Sequence, residues 1–466
     1  MVDFLGLTRE LCAHATAIVA DGNAALFRRI DRELPLTIRR YPSNATYNGW
    51  VVPESWRVET ATIRKDGRLI YDGAAHYLGV ASYSGGFQGT VGLEELKSHL
   101  FSNPDIPDCY MWHCAWTYRP WQRNWGFCMP HRLLETLEDG DYEIDLRTSF
   151  TPGEMLVGHH EHRGRSDRTI VFHSNTCHPH MANDGFAGTA VLIRLFQWLR
   201  TRETHYTYRL VVGPEHLGTV FYLHDHSPEE LDRLECGVFA EMLGTPGPLN
   251  VAASFTGDHA IDRAFRHVVR HYARTREINT PAFRRTIGND ETVWEAPGYE
   301  VPFLQFNRAH PGKPFPEYHS NLDGPDLMRE DLLEETWDLL CRLVGVLEED
   351  CRFERAFDGL VALSNPRYDL YVNRIDPAVQ SPDRNDETER WGYFQDCVIR
   401  YFDGETSLLE IADRHDLGFF EVKRYLDRFE EKGLVTRRFE PLRRPPAKRR
   451  APWPASGRLL GSPWTP

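Results

Sequence analysis

The stretch RTIVFHSNTCHP, residues 168–179, runs from a row of apolar residues into a loop that carries cysteine, histidine and proline. GFAGTAVLIRLFQWLRTR, residues 185–202, follows it with apolar residues at helical spacing. Buried strand and polar loop return in YTYRLVVGPEHLG (206–218) and CGVFAEMLG (236–244), and an amphipathic helix follows at 260–275. This alternation predicts an α/β fold with a mainly parallel sheet, in which ligands bind beyond the carboxyl ends of the strands.

The composition is that of a globular protein rather than of a disordered or low-complexity chain. The 466 residues are 41% hydrophobic, and 54 Lys and Arg against 68 Asp and Glu give a net charge of −14. So acidic a surface argues against general binding to nucleic acids or anionic membranes. No apolar run approaches the roughly 18 residues of a spanning helix. Nine cysteines without a CxxC pair, and an N-terminus without a signal-peptide pattern, favour the cytoplasm.

Residues 36–130 have a different sequence pattern from the α/β segment. Short strand-like runs alternate with turn residues, which predicts a small inserted α/β or mostly β module. The main α/β domain would then comprise residues 1–35 and 131–355. Large aromatics are usually buried, so the tryptophans of the module are expected in its core; the alternative is an aromatic wall for a substrate. These tryptophans are Trp112, Trp116, Trp121 and Trp125.

The C-terminal part changes character again. Residues 357–440 end in helix, turn, helix and short strand, a pattern that predicts a winged-helix domain. From 403 to 440 there are seven Lys or Arg and ten Asp or Glu, so a protein contact is favoured over DNA binding. The last residues, 441–466, are basic and rich in proline, and a disordered tail is expected there.

Residues able to bind a metal or move a proton follow the predicted strands. Histidine nitrogen and carboxylate oxygen are good ligands for Zn²⁺, and a glutamate beside them can act as a general base. The residues concerned are His178, Asp184, Glu215, His216, Glu241 and His319.

Each of these residues also has a purely structural interpretation. Asp184 would suit a helix N-cap, and Glu215 the first turn of a helix. Glu241 would suit an ion pair with an arginine, and His319 an ordinary surface loop. Only their order along one α/β segment points to a metal-dependent hydrolase.

Several motifs resemble a bacterial aminopeptidase-like family. That family has the fold of zinc aminopeptidases and glutaminyl cyclases, with an inserted domain and a C-terminal winged helix. The matching motifs are Cys177-His178-Pro179, Ala182-Asn183-Asp184, Pro214-Glu215 and Phe315-Pro316-Glu317-Tyr318-His319. The resemblance implies a zinc-aminopeptidase-like sheet flanked by helices.

The resemblance also implies roles for the site residues. Glu215 takes the place of the general base, and one or two zinc ions are implied. One ion would use His178, Asp184 and Glu241, and the other Asp184, His216 and His319. Two departures leave the number of ions open: His178-Pro179-His180 lacks the usual carboxylate two residues after the histidine, and His216 replaces a glutamate.

The function expected from this resemblance is hydrolysis of an amide or peptide bond in a small amino-acid conjugate or at an N-terminal residue. Asp290, Glu291 and Glu317 would meet a substrate ammonium group, Arg308 a carboxylate, and Tyr318 a developing oxyanion. Two alternatives stay open: amide transfer or cyclisation on the same fold, and a non-catalytic regulator that senses a ligand. A small molecule or short peptide is the expected substrate, with no membrane partner and with a homo-oligomer possible.

Overall fold

The computed structural model describes residues 1–114, 116–312, 314–371 and 386–449. The helices are α1 (Phe4–Cys12), α2 (Asp21–Glu33), α3 (Leu93–Ser98), α4 (His131–Glu135), α5 (Ala187–Leu199), α6 (Leu217–His224), α7 (Pro228–Asp232), α8 (Ala260–Tyr272), α9 (Glu291–Trp294), α10 (Glu330–Glu349), α11 (Asp386–Cys397), α12 (Leu408–His415) and α13 (Phe419–Glu431).

The strands are β1 (Thr37–Pro42), β2 (Thr46–Tyr47), β3 (Trp50–Val51), β4 (Ser55–Lys65), β5 (Arg68–Asp72), β6 (Phe87–Gly92), β7 (Leu100–Phe101), β8 (Phe127–Cys128), β9 (Asp141–Thr151), β10 (Glu154–His162), β11 (Thr169–Asn175), β12 (Thr207–Gly213), β13 (Leu234–Ala240), β14 (Leu249–Ala252), β15 (Ile278–Asn279), β16 (Phe303–Asn307), β17 (Cys351–Arg355), β18 (Asp403–Ser407) and β19 (Val435–Phe439).

A large central sheet carries the predicted α/β architecture. Its eight strands lie in the order β1-β10-β12-β11-β13-β16-β14-β15. The four central strands, β12, β11, β13 and β16, run parallel. Antiparallel pairs β1–β10, β10–β12 and β14–β16 flank them. The prediction of a mainly parallel sheet is confirmed for its centre.

Helices cover both faces of this sheet. In β11, Ile170 and Phe172 pack into one core with α1, α2, α5, α8 and α10, whereas Val171 packs into the other core with α6 and α9. The alternation follows the two-residue period of a strand, so both faces of β11 are buried. The predicted α/β fold, a large sheet flanked by helices, is confirmed.

The inserted region contains its own antiparallel sheet, in the order β5-β4-β9-β6. Its limits differ from the predicted 36 and 130, because β1 pairs with β10 in the central sheet while β9 pairs with β4 and β6 in the small one. The chain therefore changes sheets after Pro42 and again between Thr151 and Glu154. The division of the chain into independent domains stays a prediction.

The tryptophans of the insert are mostly core residues. Trp112, Trp116 and Trp125 are buried, whereas Trp121 is 43% exposed. Three of the four therefore fit the expected packing, and Trp112 also touches the candidate site described below.

The C-terminal helices α11–α13 accompany a three-stranded sheet in the order β18-β17-β19. Apolar residues of α12 and α13 belong to the same core as the central sheet. At the start of α13, the Tyr272 hydroxyl of α8 donates to Glu421 over 2.7 Å and accepts from the Phe420 backbone N–H. Helix α13 thus contacts the rest of the chain, and the winged-helix assignment stays a prediction.

The expected disordered tail, 441–466, begins with an ordered segment. Arg444 is buried and donates to the backbone carbonyls of Leu231 and Tyr299. The expectation is wrong for residues 441–449, because proline-rich sequence can still be fixed by contacts with distant backbone. Residues 450–466 lie outside the described part of the chain.

Candidate metal centre

Three side chains lie close together in the loops that follow β11 and β16. They are His178 and Asp184 from the first loop and His319 from the second. The Asp184 Oδ2 atom lies 3.0 Å from His178 Nε2 and 3.4 Å from His319 Nε2. His178 and Asp184 are buried, and His319 is partly exposed. Among the described residues, this is the one group of at least three His, Cys, Asp or Glu whose ligand atoms all lie within 4.8 Å of one another.

The geometry of this group fits a zinc ion. Zinc binds histidine nitrogen and carboxylate oxygen at about 2.0–2.1 Å, so tetrahedral ligand atoms stand about 3.3 Å apart. The two measured separations fall on either side of that value. Two histidines and one carboxylate also form a donor set that suits zinc better than magnesium or calcium.

His178 is oriented by a backbone group. Its Nδ1 lies 2.8 Å from the Pro179 carbonyl oxygen, which can only accept, so Nδ1 carries a proton and Nε2, which faces Asp184 Oδ2, is the nitrogen that a metal would bind. The Thr16 hydroxyl donates to the His178 carbonyl over 2.6 Å and fixes the loop. The carboxylate that is absent at position 180 is thus replaced by a carbonyl one residue after His178.

The charges of the group act on one another. Burial alone would lower the pKa of His178, but the hydrogen bond and negative charge of Asp184 outweigh it and raise that pKa. Burial would raise the pKa of Asp184, yet the hydrogen bonds from His178 and His319 hold it below its ordinary value. Asp184 is therefore ionised at neutral pH, as a metal ligand must be.

The two loops are tied together by Asp323, which sequence reasoning missed. Its carboxylate accepts the backbone N–H groups of Asn183 and Asp184 over 2.8 and 3.1 Å. Burial raises the pKa of Asp323 to about 8, against the pull of these two N–H groups. Residues 182–186 form a single π-helical turn, a feature found often at functional sites. In the sequence, the one indication of Asp323 was its position four residues after His319.

Glu215 follows β12, as predicted, and its negative charge acts on residues of the candidate metal centre. Its charge contributes to the raised pKa values of His178 and Tyr318. Its carboxylate accepts hydrogen bonds from the Tyr118 hydroxyl over 2.7 Å and from the Asn289 amide over 3.2 Å. Tyr118 belongs to the inserted region, and no sequence pattern pointed to it.

Glu241 lies at the end of β13, beside this group but not within it. It is fully buried and accepts from the Asn289 amide over 2.9 Å and the Gln305 amide over 2.7 Å. Burial and the negative charges of Asp184 and Glu215 raise its pKa well above the ordinary value. Two amides rather than an arginine compensate its burial, so the ion pair with an arginine is not seen, and the ligand role of Glu241 stays a prediction.

His216 and its neighbours build the loop rather than the ligand group. His216 has a positive φ of 52°, its ring stacks on Trp50, and its backbone N–H donates to Asp290 over 2.8 Å. The Glu291 carboxylate accepts the Asn289 backbone N–H. Asp290 and Glu291 are buried, and their contact with a substrate ammonium group stays a prediction.

The predicted role of Arg308 is wrong in this structure. Its side chain is fully buried, and it donates to Glu335 of α10 and to Thr275, both over 2.8 Å. A buried arginine needs a paired carboxylate, and here a helix residue 27 positions later supplies it. No part of the guanidinium is exposed to meet a substrate carboxylate.

The last loop places two further predicted residues. Tyr318 stacks on His319 with ring centroids 3.8 Å apart, and burial together with Asp184, Glu215 and Glu241 raises its pKa above the ordinary value. Glu317 is half-buried in the same loop.

Trp112 covers the group from the inserted region. Its ring stacks on His178 with centroids 3.8 Å apart and meets His319 edge-on at 4.7 Å. Its backbone N–H donates to the His319 carbonyl over 2.6 Å. The inserted region thus supplies one wall of the site.

Comparison with known proteins agrees with this architecture. A family model described as "Domain of unknown function (DUF4910)" matches residues 6–350. A curated protein of Clostridium acetobutylicum, named a putative polysaccharide biosynthesis protein with aminopeptidase-like domain, is 26% identical over 423 residues, which are 90% of this chain and 93% of that protein.

Two solved structures share the fold. A putative peptidase from Clostridium acetobutylicum is 25% identical with a TM-score of 0.76, and the match covers 93% of this chain and 96% of that one. A zinc aminopeptidase from Bacillus subtilis is 15% identical with a TM-score of 0.56, over 73% of this chain and 93% of that one. The predicted resemblance to the zinc aminopeptidase fold is confirmed. Across the described residues, none of the helices has the length and apolar character needed to span a bilayer.

Proposed function

The chain belongs to the DUF4910 family, and we propose that it is a metal-dependent hydrolase of amide bonds in small amino-acid conjugates or at N-terminal residues. The observation that carries this proposal is the group of His178, Asp184 and His319, whose possible ligand atoms lie close together. The negative charge of Glu215 acts on His178 and raises its pKa. The fold shared with zinc aminopeptidases supports the choice of reaction.

We assign one zinc ion to His178, Asp184 and His319. Zinc, when bound, supplies a Lewis acid that polarises a carbonyl and makes water acidic enough to lose a proton near neutral pH. A second ion with His216 and Glu241 would require both side chains to leave their present partners. The number of ions is therefore part of the test.

The protein residues divide the remaining work. Glu215 accepts the proton of the attacking water and returns it to the leaving amine, a contribution worth about 10²–10⁴ in rate. Tyr118 and Asn289 hold its two carboxylate oxygens. The Tyr318 hydroxyl donates to the oxygen that becomes negative as the carbonyl carbon turns tetrahedral.

Other expectations stay predictions: a cytoplasmic location, a homo-oligomer, and little affinity for nucleic acid. The name of the Clostridium acetobutylicum relative adds amide-bearing sugars to the substrates to be tried.

The deciding experiment combines metal content with turnover. We expect one zinc per wild-type chain, loss of zinc in His178→Ala and in His319→Ala, and full zinc content in Glu215→Gln. Turnover of a panel of aminoacyl arylamides should fall about 10²–10⁴-fold in Glu215→Gln.

His310→Ala is the matched control, because His310 is exposed in the loop that carries His319. It should keep both zinc and activity. A wild-type protein that takes up no metal, or an active Glu215→Gln variant, would overturn the proposal.

A further inference from the structure

A cavity of about 340 Å³ opens beside the candidate metal centre. Residues 16–20, between α1 and α2, form one side, and residues of the small sheet and the Trp112 segment form the other. His178 and Cys177 stand in its wall, so the cavity borders the metal-binding loop directly. Small-molecule sites occupy about 300–1,000 Å³, which gives this one room for a single ring or a short branched chain.

The walls of this cavity are aromatic. Trp56 stacks on Tyr83 with centroids 6.0 Å apart, Trp112 lies on His178 at 3.8 Å, and Tyr77 stands partly exposed among the lining residues. Flat π faces of this kind attract another ring through stacking or edge-on contact.

Tyr83 is held in a costly backbone conformation. It is buried, yet its φ is 64°, in the left-handed region that large side chains seldom adopt. The following residue, Ser84, fixes the turn by donating to the Ala81 carbonyl, and its own carbonyl accepts from the Trp56 indole. Such strain persists where surrounding contacts enforce it, and it occurs most often at binding sites.

Four of the five side-chain hydroxyls in the wall are either hydrogen-bonded or covered by protein atoms, and the fifth, that of Tyr77, belongs to an exposed side chain. Ser82 accepts from the Trp112 indole over 2.9 Å, and Thr16 donates to the His178 carbonyl. Arg57 pairs with Asp21 on the exposed side. The hydroxyls of Tyr83 and Thr117 make no hydrogen bond, but protein atoms cover both completely, with Val19 backbone near that of Tyr83.

A ligand with many hydroxyls would therefore find few partners among these hydroxyls. A cationic ligand would find no carboxylate among the lining residues, and their one arginine, Arg57, already pairs with Asp21. An uncharged ring with few polar atoms would bury neither many unsatisfied hydrogen-bonding groups nor an unpaired charge.

We propose that this cavity is a substrate subsite for an uncharged aromatic group adjoining the amide bond that is cleaved. The inference rests on the proposed function for the position of that bond, but binding of the ring does not depend on turnover. The inserted region would then select the substrate, since it supplies the aromatic walls.

The test is direct binding of neutral probes to the full-length protein without added metal, by titration calorimetry. The probes are phenylacetamide, acetamide and methyl β-glucoside. We expect phenylacetamide to bind at least tenfold more tightly than either of the others. Calorimetry measures the heat of association rather than turnover, so the result does not depend on whether the protein hydrolyses a substrate.

Two alanines of one short helical turn give a matched pair of variants. Ala74 lines the cavity, whereas its neighbour Ala75 does not, and both are exposed enough to accept a larger side chain. Ala74→Phe should weaken phenylacetamide binding at least tenfold, and Ala75→Phe should leave it unchanged. Trp56→Leu, which removes a wall, should also weaken it, with thermal unfolding confirming that each variant is folded.

The outcomes separate the two proposals. Ring binding that Ala74→Phe and Trp56→Leu abolish supports the subsite even if no arylamide is hydrolysed. Equal or tighter binding of methyl β-glucoside would overturn it in favour of a sugar site. Hydrolysis that does not distinguish phenylalanyl from glycyl substrates, in wild type and in both wall variants, would overturn it while leaving the hydrolase proposal standing.

Discussion

At the scale of single residues, His178 owes its orientation to groups at both ring nitrogens. The Pro179 carbonyl oxygen is hydrogen-bonded to Nδ1, and the Asp184 carboxylate lies within hydrogen-bond distance of Nε2. Proline at this position has no N–H of its own, but its carbonyl serves as well as the carboxylate found in the family pattern. A histidine in a loop can be recognised as a ligand from sequence, whereas its hydrogen-bonded tautomer depends on local backbone direction.

Tyr118 provides a prediction at the same scale. Tyr118→Phe removes the hydroxyl that donates to Glu215 over 2.7 Å and keeps the ring. A hydrogen bond to a charged group is worth about 1.5–3 kcal/mol, so we expect kcat to fall about tenfold or more through misplacement of the carboxylate. Zinc content should not change, because Tyr118 does not touch the ligands.

Tyr110→Phe serves as the control for that variant. Tyr110 lies in the same segment and stacks on His76 rather than contacting Glu215. Steady-state kinetics and metal analysis of both variants decide the matter. Equal kcat values for Tyr118→Phe and wild type would show that Tyr118 does not position the base.

At the scale of elements, the sequence predicted where the central strands end. It did not predict which residues form ion pairs with the charged side chains at those ends. Parallel strands bring their carboxyl ends to one edge, which is why loops at 178 and 215 could be placed together from the chain order. Arg308 ends β16 in the same way, yet its partner Glu335 lies on α10. Which charged residue at a strand end faces inward depends on helix packing that periodicity does not record.

The junction between α10 and α12 yields a pH-dependent prediction. Asp350, directly after α10, is half-buried, and its carboxylate accepts the Leu409 backbone N–H over 2.9 Å. Burial raises the pKa of Asp350 to about 6, although hydrogen bonds from Leu409 and Ser407 oppose the shift. The folded state thus binds this proton more tightly than the unfolded state, whose pKa is about 3.9.

The contribution of Asp350 to the free energy of unfolding therefore falls as pH rises through the window from about 4 to 6. About two pKa units correspond to about 3 kcal/mol. Asp350→Asn cannot lose a proton, so relative to wild type it should become more stable by about that amount between pH 4 and pH 7. Urea unfolding across this range measures the difference, with exposed Asp358→Asn as control. A difference independent of pH would contradict the assignment.

At the scale of the whole molecule, the site is assembled from segments far apart in sequence. The Tyr110 backbone N–H donates to the Asn321 side chain, and the Trp112 N–H to the His319 carbonyl, across more than two hundred residues. The existence of an inserted region was predictable from its change in texture. Its contact with the loops of the candidate metal centre was not predictable, because neither composition nor hydrophobic period carries information about contacts between segments far apart in sequence.

The segment 441–449 gives the last prediction, since it is held against residues of the central sheet and of the segments beside it. Arg444 is buried, its guanidinium donates to the Leu231, Leu234 and Tyr299 carbonyls, and its backbone N–H donates to Glu235 over 2.7 Å. Arg444→Ala removes the guanidinium donors from these carbonyls, so the free energy of unfolding should fall by about 3 kcal/mol.

The adjacent Arg443 is exposed, and Arg443→Ala should change stability by no more than about 0.5 kcal/mol. Urea unfolding of the two variants beside wild type measures both effects. Because they remove the same charge one residue apart, equal stabilities would mean that the segment is not docked in solution. A selective loss in Arg444→Ala would instead show that a basic, proline-rich end can be held in place by one buried arginine.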